Sequence, residues 1–297
     1  MIITCLIGDP VEQSVSPYMY NYFGFRAGLP YYSHIKIRVH AENEGNLKKA
    51  IQAAKFLGFA GINITIPYKT KVLKYLDKID KKAAAAGIVN AIVNRNGKLV
   101  GYNTDSAGAL LAIEKRLRKI KASDKILIFG AGGASRAVTV AISTRTKNIT
   151  LINRKEDFQL AQSLRDDVKK LGISINILPL NEENIIREFV RADFVINATR
   201  LGMVPNIKES IISKSQFSKI SKLTPLKKKL FFDVVFNPYT TEFLKMAKKY
   251  NAKTCQGLYM TIYQGAASFE LWTGKKVSKK DVDFIHKVIK QKMGIKS

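Results

Sequence analysis

The sequence predicts an α/β fold with mainly parallel sheets, divided into two domains. Strand-like apolar runs alternate with segments of helical periodicity along the whole chain. One run, Lys125–Phe129, breaks into Gly130, Gly132 and Gly133 and then into small residues that can open a helix. At 297 residues, 46% hydrophobic and 25% charged, the chain can bury one large core or two modest ones, and nothing in its composition marks disorder.

The strand-like runs are 2–7, 31–39, 61–66, 91–94, 125–129, 149–152, 174–178, 194–197 and 230–235. Helical spacing of apolar residues marks Glu42 to Leu57 and Ala107 to Ile120, and Asp157 to Leu171 reads as amphipathic with its charges on one side. There is no internal repeat and no low-complexity linker. A boundary is expected near Thr104 to Gly108, where a helix leads directly into the glycine-ended strand, and a second near Pro238, after the run that ends at Val235. The expected division is therefore 1–105 plus 239–297 for one domain and 106–238 for the other, with the terminal helices returning to the first.

Lys125 to Ser135 (KILIFGAGGAS) reads as a phosphate-binding turn. A strand ending in such a turn lets backbone approach a pyrophosphate, and the next helix N-terminus supplies unpaired N–H groups. The spacing departs from G-x-G-x-x-G, because Gly132 and Gly133 are adjacent and Ser135 takes the last place. The following strand, Asn148 to Arg154, ends about twenty residues beyond the glycines, where a dinucleotide fold reads the ribose. An acidic residue there would favour NAD. Asn153, Arg154 and Lys155 offer instead an amide and two cations suited to a 2′-phosphate, so the expected cofactor is NADP(H).

Several function classes are disfavoured. MIITCLIGDP has no basic region ahead of its apolar stretch, and Pro10 and Glu12 follow closely, so it reads as a strand and not as a signal peptide. No apolar run approaches the roughly twenty residues that span a bilayer. The expected location is the cytoplasm. Cys5 and Cys255 are too few and too distant for a disulfide framework, and His34, His40 and His286 lack metal-ligand spacing, so no metal is expected. The net charge of +27 raises a nucleic-acid partner as the rival of a different class. Its lysines are spread over helix faces, as in Lys69 to Lys82 and Lys275 to Lys290, and form no arm with interleaved aromatics. Nonspecific adhesion at low salt is expected, and a specific nucleic-acid site is not.

Polar clusters in the first domain point to a site. Ser14 and Ser16 lie two apart on one side of an extended segment before Pro17, and taken alone they read first as helix-cap chemistry. Asn63 and Thr65 alternate with Ile62, Ile64 and Ile66 and share one strand face. Lys69 follows just past the end of that strand, where open α/β sheets place their ligand crevices. Asn90 and Asp105 stand at the ends of further strands. A lysine beside a carboxylate is a workable proton-transfer pair, able to polarise a carbonyl and protonate the developing alkoxide.

These residues carry a resemblance that runs nearly end to end: the chain resembles the shikimate dehydrogenase family. Ser14 to Pro17 is similar to its S-x-S-P loop, Asn63 to Lys69 to its N-x-T-x-P-x-K, and Gly101 to Gly108 to its G-x-N-T-D-x-x-G. Gly130 to Ser135 is similar to its G-A-G-G-A-S/A, Asn153 and Arg154 to its NADP clamp, and Asn197 to Met203 to its N-x-T-x-x-G-M, with Asp233 to Pro238 and Gly257 to Trp272 completing the series.

The resemblance implies an N-terminal substrate domain, a Rossmann-type NADP domain, and reversible NADPH-dependent reduction of 3-dehydroshikimate to shikimate in aromatic amino-acid biosynthesis. It implies Lys69 as acid/base, with Asp105 pairing with it and holding the reacting hydroxyl. Ser14 and Ser16 would bind the substrate carboxylate, while Asn63, Thr65, Asn90 and Gln264 would bind ring hydroxyls or orient Lys69. Gly130, Ala131, Gly132, Gly133 and Ala134 would hold the pyrophosphate, Asn153, Arg154 and Lys155 the 2′-phosphate, and Thr199, Val234 and Gly257 the remaining ribose and nicotinamide. The nicotinamide would meet the substrate between domains that close on binding. The oligomeric state is left open, a homodimer being the assembly entertained.

The departures from the family pattern are Phe158 in place of a second basic clamp residue, Phe236 in place of a tyrosine, and Gln13 and Tyr20 where histidine is more frequent. Phe158 loosens the expected preference for NADP. Losing the hydroxyl at Phe236 is expected to weaken substrate binding by about 1 kcal/mol if a partner group is left unpaired. Within the same class, an enzyme acting on quinate as well as shikimate is the alternative.

Overall fold

The structure, a computed structural model, describes residues 1–170 and 172–295. They form two compact units, residues 1–107 with the chain from Ile262 onward, and residues 108–261.

The first unit opens with β1 (Ile2–Gly8), whose continuous apolar run is buried because it lies inside the sheet. There follow α1 (Ser16–Arg26), β2 (Tyr32–Arg38), α2 (Glu44–Phe56), β3 (Gly61–Ile64), β4 (Lys78–Ile79), α3 (Lys81–Ala86), β5 (Ala91–Arg95) and β6 (Lys98–Tyr102). Asn43 caps α2 by accepting from Gly45 N–H, Asp80 caps α3, and Gly87 ends α3 with a φ of 64°. The strand order is β2-β1-β3-β5-β6-β4. β5 runs antiparallel to both β3 and β6, while the other three pairings are parallel, so this sheet is mixed with a parallel majority. The antiparallel pair is a hairpin turned by Asn96 and Gly97, with φ of 51° and 81°.

Helices then lead the chain out of this unit and back into it. α4 (Thr104–Arg116) leaves it, and α10 (Gly257–Thr273) returns to it before α11 (Lys279–Lys292). α10 lies close against β3, since a Cβ on Gly61 would stand 2.2 Å from the Trp272 ring, and Trp272 Nε1 donates to Ile92 O at 2.9 Å. A reciprocal Ser278–Asp281 capping box starts α11, and Arg26 Nε reaches Asp281 at 2.8 Å.

The second unit holds β7 (Ile126–Phe129), α5 (Gly133–Ser143), β8 (Ile149–Asn153), α6 (Phe158–Lys169), β9 (Asn176–Pro179), α7 (Glu182–Arg191), β10 (Phe194–Asn197), α8 (Lys214–Leu223), β11 (Leu230–Asp233), α9 (Glu242–Lys249) and β12 (Lys253–Cys255). Every pairing is parallel, and the order β9-β8-β7-β10-β11-β12 is the doubly wound 3-2-1-4-5-6 arrangement, reversing between β7 and β10. Phe189, Phe217, Phe231 and Phe243 pack on one another in its core, with centroid separations of 5.6–6.2 Å. Each such buried ring is worth about 1.5–3 kcal/mol.

The second boundary falls at residue 261 and not near Pro238. Residues 239–261 stay with the second unit because β12 extends its sheet beside β11 and α9 packs beneath them. Strands 78–79, 98–102 and 253–255 had no counterpart among the expected runs. The expected 107–120 helix begins earlier, at Thr104. Leu171, the expected end of the 157–171 helix, lies outside the described residues.

Gly257 opens α10 where the chain presses on the end of β11. A Cβ there would stand 2.3 Å from Val234 O and 2.6 Å from Val235 O, both backbone atoms. Gly257→Ala is therefore expected to destabilise the fold by about 1–3 kcal/mol. This should read as a lower urea midpoint with an unchanged m value, and an unchanged midpoint would contradict the contact.

Candidate active site

In the first unit, β1, β3 and β6 end, and β5 begins, at one edge of the sheet. The register Leu6↔Asn63, Asn63↔Ala91 and Ala91↔Tyr102 is what gathers the polar residues there. Asn63 sits near the end of β3, Asn90 just before β5, and Thr104 and Asp105 just after β6 in the first turn of α4. That turn favours a carboxylate, because the helix dipole is positive at its start.

Lys69 Nζ donates to Asp105 Oδ2 at 2.6 Å, and the two side chains are 24% and 10% exposed. Asn90 Nδ2 holds the other carboxylate oxygen, Asp105 Oδ1, at 3.0 Å, and also reaches Thr104 Oγ1 at 2.9 Å and Gln264 Oε1 at 3.1 Å. Asn90 Oδ1 in turn accepts from Thr104 N–H at 2.7 Å. Ser268 bridges the set, with its Oγ 2.9 Å from Thr104 Oγ1 and 3.4 Å from Asn63 Nδ2. Asp105 is thus fixed at both oxygens, and the three-proton ammonium it holds uses one proton on it. A partly sheltered cation surrounded by neutral amides and hydroxyls suits proton transfer to an oxygen of a polyhydroxylated ligand.

The serines form a separate cluster. Val15, not a serine, is the N-cap of α1 and makes no side-chain cap bond. Ser14 Oγ accepts from Ser16 N–H at 3.2 Å and donates to Ser16 Oγ at 3.1 Å, while His34 Nε2 lies 3.2 Å from Ser16 Oγ. Burial pushes the His34 imidazole down to about 3, so it is neutral. Thr65 follows β3 directly, its N–H still donating to Ile7 O at 2.9 Å, and the chain turns after it, with Tyr68 N–H on Thr65 O. The Thr65 methyl covers Gly8, where a Cβ would stand 2.2 Å from it.

In the second unit, Gly130 ends β7 at the point where the strand order reverses. Its φ is 99°, and a Cβ would stand 2.9 Å from Thr199 Cγ2 and 3.2 Å from Ala198 O. Ser135 Oγ closes the turn on Gly130 O at 2.7 Å. Gly132 and Gly133, at the start of α5, would carry a Cβ into open space, so the cradle fits a pyrophosphate. Ala131 is buried within the turn and Ala134 follows in α5. Asn153 ends β8 and donates from Nδ2 to Asp157 O at 2.7 Å, Arg154 forms an ion pair with Asp157, and Lys155 is exposed. The cations fit a 2′-phosphate, with one of them already engaged by an acid. Phe158 begins α6 beside them.

Thr199 is set by Asn197, whose Oδ1 accepts its hydroxyl at 2.7 Å. Asn197 Nδ2 donates to Asp233 Oδ1 at 3.1 Å, and Val234 N–H donates to Asn197 O at 3.0 Å. Burial pushes the Asp233 carboxyl up to about 6, against hydrogen bonds from Thr241, Val235 and Asn197 that pull it down. With the folded value above the ordinary 3.8, its stabilising contribution is fully present below that value and is lost as pH rises through 6. Between about pH 4 and pH 7 the wild type should lose up to about 3 kcal/mol relative to Asp233→Asn. A pH-independent difference between the two would contradict this.

Thr104, Ser268 and His34 were not singled out as site residues. Ser268 follows Gln264 by one helical turn on α10, which is the periodic signal that points to it.

Comparison with known proteins matches two parts of the chain to models of one family and most of its length to a relative in it. Residues 6–92 match the shikimate dehydrogenase substrate binding domain, and residues 257–283 match the shikimate 5′-dehydrogenase C-terminal domain. The chain is 42% identical over 272 residues to the shikimate dehydrogenase (NADP(+)) of Methanocaldococcus jannaschii, covering 91% of this chain and 90% of that one. The chain belongs to the shikimate dehydrogenase family. A crystal structure of a shikimate dehydrogenase in complex with NADP+ superposes with a TM-score of 0.85 at 37% identity, covering 99% of this chain and 96% of that chain. Quinate dehydrogenase from Corynebacterium glutamicum in complex with NAD superposes with a TM-score of 0.83 at 31% identity, covering 98% and 99%. The family is that of NADP-dependent oxidoreductases, and no helix among the described residues is long and apolar enough to cross a membrane.

Proposed function

We propose that this chain catalyses the reversible NADPH-dependent reduction of 3-dehydroshikimate to shikimate, with the first unit taking the substrate and the second the cofactor. The observation that carries this reading is the Lys69 ammonium held 2.6 Å from Asp105 among neutral hydrogen-bonding groups, in a chain of this family. The nicotinamide, when bound, supplies the hydride to the C3 carbonyl carbon. Lys69 gives a proton from Nζ to the carbonyl oxygen as charge develops there, and takes it back in the reverse direction. Asp105 keeps the ammonium in place with Oδ2, and Asn90 keeps Asp105 in place through Oδ1.

Ser14 and Ser16 bind the carboxylate, and Asn63, Thr65, Asn90 and Gln264 bind the ring hydroxyls or orient Lys69. Gly130, Ala131, Gly132, Gly133 and Ala134 hold the pyrophosphate, Asn153, Arg154 and Lys155 the 2′-phosphate, and Thr199, Val234 and Gly257 the ribose and nicotinamide. The partner is thus a small molecule.

Incubation with NADPH carrying deuterium at both C4 positions tests the reading by mass spectrometry of the product. Shikimate carrying one deuterium at C3 is expected, and unlabelled product or none would overturn it. A second reading, use of quinate and NAD beside shikimate and NADP, is favoured by the engagement of Arg154 with Asp157 and by Phe158 in the clamp. Quinate oxidation with NAD tests it.

A further inference from the structure

Behind Ser16 a line of buried hydrogen-bonding groups runs into the sheet: His34 Nε2 is 3.2 Å from Ser16 Oγ, His34 Nδ1 is 2.8 Å from Thr4 Oγ1, and Thr4 Oγ1 is 2.8 Å from the Tyr32 hydroxyl. Thr4 is wholly buried on β1, and His34 is 1% exposed on β2 in register with it. A neutral imidazole carries one N–H and one bare nitrogen, so the line has two possible directions.

In one direction Ser16 donates to His34 Nε2, His34 Nδ1–H donates to Thr4, and Thr4 donates to Tyr32. The Ser16 proton is then spent on His34 and the Ser14 proton on Ser16. A carboxylate only accepts hydrogen bonds and would find neither serine proton available. The Tyr32 phenol, whose partner among the described residues is Thr4, would also leave its own proton unused.

In the other direction Tyr32 donates to Thr4, Thr4 donates to His34 Nδ1, and His34 Nε2–H donates to Ser16 Oγ. Both lone pairs of Ser16 Oγ are then filled, by His34 and by Ser14, and its proton points outward. A mixed arrangement, with both Tyr32 and His34 Nδ1–H donating to Thr4, would leave the Thr4 proton only Ser33 O at 3.5 Å, whereas the Thr4 contacts with His34 Nδ1 and with Tyr32 are both 2.8 Å. Asn21 fixes the His34 backbone, with its Oδ1 accepting from His34 N–H at 2.7 Å, and the Tyr20 ring packs on the imidazole at 4.3 Å.

We infer that Thr4 fixes His34 as the Nε2–H tautomer, so that Ser16 is held as a hydrogen-bond donor to the substrate carboxylate; His34 and Thr4 are positioning residues. This rests on the carboxylate role given to Ser16 under the proposed function.

Two readouts test it. In protein labelled with 15N-histidine, with His34 assigned by loss of its signals in His34→Gln, Nε2 should be protonated and Nδ1 bare in the free enzyme. Thr4→Val should raise KM for 3-dehydroshikimate about tenfold with kcat within about twofold, and Thr4→Ser should restore KM. Protonated Nδ1, or native KM in Thr4→Val, would overturn the inference. Native KM in Ser16→Ala would overturn the carboxylate role itself, and protonated Nε2 in that same protein would show that the tautomer is as described while its use is not.

Discussion

Replacing Lys69 with alanine is expected to lower kcat by about 10²–10⁴-fold, the range spanned by losing a positioned general acid, with KM for 3-dehydroshikimate changed less than about threefold. The asymmetry follows from the geometry. Lys69 Nζ is one donor among several at the strand ends, so ground-state binding keeps its other partners, but it is the group proposed to carry the proton. Asp105 in the variant remains held at Oδ1 by Asn90, so the site does not lose its other anchor. Steady-state kinetics with saturating NADPH reads both constants, and near-native kcat would remove Lys69 from the chemistry.

Arg154→Ser is expected to raise KM for NADPH by about 10–100-fold and to leave KM for NADH nearly unchanged, because a charge-assisted bond to a phosphate is lost only where the phosphate exists. Arg154 starts from an ion pair with Asp157 and is 63% exposed as a side chain, so part of its attraction to a 2′-phosphate is spent in exchanging partners. That competition, together with Phe158 in place of a second cation, places the expected loss nearer the lower end of the range. Equal losses with both cofactors would reject the clamp.

The legibility of the fold in the sequence tracked the strength of local signals. β7 and the glycine turn after it were visible because four apolar residues, a glycine needing positive φ and a helix start follow one another without a gap. β6 was not, although Asn96 and Gly97 are a hairpin signal, because the segment between them and Tyr102 carries only two large apolar residues. β12 is three residues long with a lysine at its start, and nothing local marks it. Its place in the sheet is decided by pairing with β11, which moved the unit boundary past Pro238.

The same distinction runs through the site. Lys69, Asp105 and Asn90 were legible because each stands at a strand end next to a motif residue, and the structure joins them in one hydrogen-bonded set. The partnership of Ser16 with His34 was not, since it depends on α1 packing against β2, a contact between residues eighteen apart that no local pattern encodes. Thr65 illustrates a third case. Alternation placed it on the face of Asn63, but does not show that the Thr65 methyl fills the space over Gly8 on the neighbouring strand.

Oxidation of NADPH followed by absorbance, with purified protein and 3-dehydroshikimate, and in parallel with NADH, tests the proposed reaction most directly. Rapid turnover with NADPH, and slower turnover with NADH, is the expected result. No turnover with either cofactor, in protein shown to be folded by its thermal transition, would contradict it.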